Sequence, residues 1–138
     1  MKPIAAAIHT KLGSATGAGS FHALLGGRYY HVEAPQNTAF PLAVWTLDAV
    51  DNDDQFGGSR ILRGTLTFDI YCEGKAGAAA AMDIEEALYA LLDQQALAVS
   101  GGTYGNVTLQ CISRGLPSAT DEFMVMSTTY SIFTTRVA

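Results

Sequence analysis

The hydrophobic period of this chain changes once, and sharply. Residues 61–73 (ILRGTLTFDIYCE) alternate apolar and polar side chains, the mark of a strand with one buried and one wet face. From 76 to 95 the spacing turns helical. Ala81, Ile84, Leu88, Leu91 and Leu92 fall on one stripe, while Asp83, Glu86, Asp93 and Gln94 point away. The alanine run raises helix propensity and offers a flat packing surface. Asp83, Glu85 and Glu86 lie in the N-terminal half, where the helix dipole favours them. A long strand feeding straight into an amphipathic helix limits the chain to a fold that mixes both elements.

The flanking segments complete that fold. Pro3 suits a first helical turn, and Ile4, Ile8 and Leu12 recur every four residues, predicting an N-terminal helix. The Gly- and Ser-rich passage 13–27 breaks it, with Phe21, Leu24 and Leu25 docking as a single turn. Residues 28–33 (RYYHVE) read as a strand, 34–38 as a turn, and 39–50 as a longer strand with apolar groups on both faces. Coverage on both sides, by helices or by another subunit, follows from that pattern. Residues 51–60, rich in Asp, Asn and Gly, read as an exposed, mobile loop. After the helix, Gly101-Gly102 marks a hairpin turn, 107–113 a strand, 114–121 a connection and 122–137 a last long strand. The expectation is one α+β domain, 1–138. It has a single antiparallel (mixed) β-sheet packed against two helices, in the order helix, three strands, helix, three strands.

Composition narrows the function classes. The 138 residues carry eight Lys plus Arg against thirteen Asp plus Glu, a net charge of −5, so clustered phosphate binding is disfavoured. Charged residues make up 15 % of the chain, against roughly 25 % in an average soluble domain. Such a shortage fits a surface partly covered in an assembly. The apolar run 4–8 is too short for a signal peptide core and is interrupted by His9, Thr10 and Lys11. No apolar stretch reaches the roughly 18 residues that a bilayer span needs. The chain therefore reads as soluble and unexported. Cys72 and Cys111 stand in phase with apolar strand neighbours and outside any CxxC motif, so both read as free core residues.

Catalytic and ligand motifs are sparse. His9, His22 and His31 have no metal-ligand spacing, and the glycine clusters 13–20 and 57–59 lack a phosphate-binding pattern. Asp51, Asp53 and Asp54 open like a calcium loop, but Phe56 and Leu62 occupy the positions that require Gly and Glu. No nucleophile elbow is present. The expectation is no enzyme, no cofactor and no metal. Trp45 reads as core, whereas Phe56, an aromatic in a polar loop, reads as an interface anchor.

The order of elements, with Pro35, Gln36, Pro41 and Val44 in a P-Q-x-x-x-x-P-x-x-V arrangement and 70–76 leading into the Ala-rich helix, resembles the tail-completion or tail-terminator proteins of long-tailed bacteriophages. The resemblance covers nearly the whole chain. It implies a structural virion protein of the tail or neck, present in host cytoplasm during assembly. Such a protein forms a homo-oligomeric ring, usually of six subunits, that caps the tail tube, stops its polymerisation and offers a joining surface to the head-side connector or stopper. The implied partners are therefore further copies of itself, the tail tube protein and that connector, with DNA passing through the lumen unbound and no membrane involved. Asp51, Asp53, Asp54, Gln55, Phe56 and Arg60 are the expected contact to the tube or an adjacent subunit, with Arg136 in the last strand a second contact. The competing readings are a tube subunit, a head-side stopper, or a small-molecule-binding α+β domain.

Overall fold

The computed structural model describes residues 2–54, 59–74, 77–97, 99, 107–119 and 122–137. Helix α1 (Lys2–Leu12) forms as its four-residue apolar spacing predicts, and Ile4, Ile8 and Leu12 are fully buried. The short helix α2 (Phe21–Leu25) is the expected docked turn. The Ser20 hydroxyl accepts from the Ala23 N–H at its start, and Gly26, at φ 59°, closes it in the left-handed conformation that favours glycine. Strands β1 (Tyr29–His31), β2 (Leu42–Asp54) and β3 (Ser59–Glu73) follow, then helix α3 (Ala78–Leu92). Strands β4 (Ala96–Leu97), β5 (Val107–Arg114), β6 (Ser118–Ala119) and β7 (Phe123–Val137) complete the chain.

All seven strands join one sheet in the order β1-β2-β3-β7-β5-β4, with β6 paired to β7. Only the β1–β2 contact is parallel, so the sheet is mixed. The α+β class with a single helix-backed sheet stands. The expected element count needs correction: among the described residues there are three helices rather than two, and four strands rather than three follow α3. The extra strand arises in the supposed connection 114–121. Gly115 donates its N–H to the Ser127 carbonyl at 2.8 Å, and a Cβ there would lie 2.5 Å from that oxygen. This close approach keeps the chain against β7, so Ser118 and Ala119 extend its ladder. The Gly101-Gly102 turn lies outside the described residues.

The helices cover one face of the sheet. Leu66, Phe68, Ile70 and Cys72 from β3 meet Tyr130, Ile132, Met124 and Met126 from β7 on that face. Ala43 and Trp45 from β2 join them beneath Ile8, Phe21, Ile84 and Leu88 of the helices. Helix α1 contacts β4 and also walls a groove with His31 and Trp45, so it reaches both margins of the curled sheet. The opposite face alternates out of phase and is hydroxyl-rich: Thr65, Thr67, Thr129 and Ser131 are half-buried there. Within one chain β2 turns Ala43 and Trp45 to the helix-packed core, while on its other face Leu42 is buried and Val44 and Thr46 are half-buried.

The expected mobile loop 51–60 is a second correction. Asp51 to Asp54 continue β2, and Ser59 and Arg60 begin β3. The register shifts between Ala49 and Asp51, leaving Val50 as an extra residue, a β-bulge. Beyond it Asp51 pairs with Arg63 and Asp54 with Arg60. Strand β7 runs alongside to Val137 and fixes β3 from the other side. Strand β3, itself held by β7, templates Asp51 to Asp54 from one side and outweighs the poor strand propensity of Asp and Asn.

Candidate functional site

Sequence reasoning nominated residues in two separate segments, and the sheet brings them to one end. Asp54 pairs with Arg60 on β3, and Arg60 pairs in turn with Arg136 on β7, so the three share one row across three strands. Asp53 faces Ile61 and Asp51 faces Arg63 in the neighbouring rows. Gln55 and Phe56, the expected anchor among them, lie outside the described residues. Strands β3 and β7 are fifteen residues each, about 50 Å of extended chain. The helix-packed core ends around Leu66 and Ile132, and the ladder carries the charged rows beyond it. Nearby, the Arg63 guanidinium stands 6.0 Å above the centre of the Phe133 ring.

The second polar constellation was not foreseen. Glu85 of α3 is only 2 % exposed and accepts two hydrogen bonds from Arg114 of β5, at 2.7 and 2.6 Å. Arg114 also lies 4.2 Å over the Tyr89 ring. The hydrogen bonds to Glu85 hold its guanidinium above its ordinary pKa. The Tyr89 phenol is raised too, first by its hydrogen bond with Asp93. Asp93 in turn accepts the Cys111 backbone N–H at 2.8 Å. This chain of contacts pins β5 to α3. The readable signal was slight: a Glu on the buried stripe of α3 and an Arg ending an otherwise uncharged strand.

The histidines pack rather than converge. His22 Nδ1 shares a hydrogen bond of 2.9 Å with the Tyr29 hydroxyl, and His9 lies against the same ring at 5.7 Å. His31 stacks on Trp45, with ring centres 4.0 Å apart. Among the described residues no three His, Cys, Asp or Glu side chains are placed to hold a metal. No helix is long and apolar enough to cross a membrane. Cys72 is buried, and burial pushes its thiol up, which makes it unreactive; Cys111 is free and only half-buried.

A groove of about 460 Å³ is lined by Ala5, Ala6, His9, Thr10, His31 and Trp45. It lies where β1 ends beside β2. Trp45 itself is 1 % exposed, and among the described residues its indole N–H has no hydrogen-bond partner. A smaller apolar groove sits between Phe21 and the Ala87, Ala90 and Leu91 surface of α3. Neither gathers an acid, a base and a nucleophile. The grooves among the described residues hold no constellation suited to bond chemistry.

Comparison with known proteins follows the same line. The family model described as tail completion protein gp17 matches residues 6–115, from α1 through β5. A chain of the virion of a native gene transfer agent particle superposes with a TM-score of 0.75 at 17 % identity, covering 94 % of this chain and 92 % of that one. A second solved protein aligns with a TM-score of 0.67, also at 17 % identity, over 95 % of this chain and 94 % of its own. These two likenesses concern the fold. No curated protein matches the sequence.

Proposed function

The chain belongs to the tail completion protein gp17 family, and on that premise we propose that it acts as a ring that caps the phage tail tube. Membership makes it a structural protein of the phage tail, and nothing in its described residues points to catalysis. In the proposed role copies associate head to tail, usually as six, because a heterologous contact that closes on itself makes a ring of fixed size. The finished ring denies the tube end to further tube subunits and presents its other side to the head connector or stopper. DNA then passes through the lumen without specific binding, and the net charge of −5 per chain suits that passage because like charges repel.

The observation that carries this reading is the family match over residues 6–115. The charged end of the sheet supports a contact role for Asp51, Asp53, Asp54, Gln55, Phe56, Arg60 and Arg136, since three of these share a single register row. The low charged fraction of 15 % suits extensive subunit contact. Tails assembled without this protein should overrun in length or fail to join heads when imaged by electron microscopy, and the purified protein should form single rings at most. Long tubes formed by the protein alone would assign it to the tube instead. Removal of residues 52–58 should abolish tail joining; particles that join normally would withdraw the contact role from that segment.

A further inference from the structure

Strand β2 is thirteen residues long, but its outer neighbour β1 pairs with Ala43, Val44 and Trp45 alone. Ala43 donates its N–H to the Arg28 carbonyl at 3.0 Å, and the Trp45 carbonyl accepts from Val32 N–H at 2.9 Å. Odd-numbered residues therefore turn their backbone polar groups toward the β1 side. The same alternation carries on to Leu47 and Ala49, and among the described residues no strand faces them. Here, in line with the end of β1, lies the groove of about 460 Å³ walled by α1 and floored by His31 and Trp45. An open strand edge beside a side-chain pocket is the geometry by which one protein adds a strand to another's sheet.

The chemistry of the incoming segment follows from charge. From Leu42 to Asp54 the strand carries Asp48, Asp51, Asp53 and Asp54 and no cation; Asp51 and Asp54 stand opposite Arg63 and Arg60 on β3, whereas Asp48 and Asp53 face Thr65 and Ile61. A complementary segment is extended and basic. This chain does not supply one: its eight Lys and Arg are scattered, and the closest two, Arg60 and Arg63, belong to β3, which is paired on both sides. We propose that the outer edge of β2, from Leu47 onward, with the groove beside α1, is a strand-addition site for an extended Lys- or Arg-bearing segment of a different protein of the particle. The identity of that host particle rests on the tail-completion reading; the edge and its preference for a basic strand do not.

The test uses the purified chain, whose single tryptophan, Trp45, sits at the site and reports on it. The probe is a short synthetic peptide alternating Lys with Val and Thr; its counterpart carries Glu in place of Lys. The Lys peptide should shift Trp45 emission and slow hydrogen exchange at the Leu47 and Ala49 amides. The Glu peptide should bind at least ~10-fold more weakly. Methylating alternate amide nitrogens of the Lys peptide should remove binding, because the ladder is lost while the charge is kept. Asp48→Lys, at an exposed position, should weaken the Lys peptide several-fold with an unchanged melting temperature. Absence of binding, equal binding of the two peptides, or binding without protection of Leu47 and Ala49 overturns the proposal. So does protection of those amides by self-association, which gives the edge to a second copy. If the tail-capping reading fails in imaging while the peptide result holds, the site stands and only its host assembly changes.

Discussion

The two margins of the sheet are treated in opposite ways. At the β5 margin the Leu109 N–H is taken by the Gln95 carbonyl at 3.0 Å, and the Cys111 N–H by the Asp93 carboxylate at 2.8 Å. A carboxylate reaching across from the end of α3 plugs the strand where its short neighbour β4 gives out. At the β2 margin, β1 stops after three residues and nothing described replaces it. Exposed edges invite unwanted pairing, so chains commonly block them. A chain that blocks one edge with a buried-side network and leaves a longer one open distinguishes a margin to be silenced from a margin to be used.

Three substitutions sharpen or break this contrast. Arg114→Ala should have the largest effect, because it leaves the Glu85 side chain buried without its partner. Water reaches the half-exposed Arg114 side, so the cost is about 2 kcal/mol rather than the full value for a sealed pair. Denaturant unfolding reads it; an unchanged midpoint means that the Glu85 contact does not pin β5. Asp93→Ala comes next, at about 1–2 kcal/mol for an orphaned backbone N–H. It should also create self-association visible by sedimentation, since the plug is removed. A variant that stays monomeric would show that the β5 margin needs no plug. Asp48→Lys is the smallest, within about 0.5 kcal/mol, as expected at an exposed position with no described partner. A loss as large as that of Asp93→Ala would mean that the β2 margin is already occupied within the chain.

Much of the architecture was legible. The stripe of Ala81, Ile84, Leu88 and Leu92 on α3 and the Leu66 to Cys72 alternation on β3 became core as their periods require, because burial of one face is what those periods encode. Trp45 is core as well. The reading failed where a distant strand decides the outcome. Asp51 to Asp54 and Arg60 look like a loop by local preference, and only the length of β7 alongside β3 turns them into ladder. Ser118 and Ala119 pair for a similar reason, through the close approach of Gly115 to Ser127. Glu85 reads in the sequence as one of three acids that the helix dipole favours, yet its partner is 29 residues away at Arg114. The open edge could not be seen at all from sequence, since it depends on how few residues of β1 pair rather than on any residue of β2.

Val50 shows how much direction one amino acid can impose. Were the ladder continuous through it, Asp51 would oppose Leu62 and Asp53 would oppose Arg60; the interpolated residue instead lines up Asp51 with Arg63 and Asp54 with Arg60. Such an insertion also bends and tightens the twist of its strand. The heading of this end of the sheet, and which acidic position lines up with which basic one, is thus written by a single miscount in the middle of a ribbon.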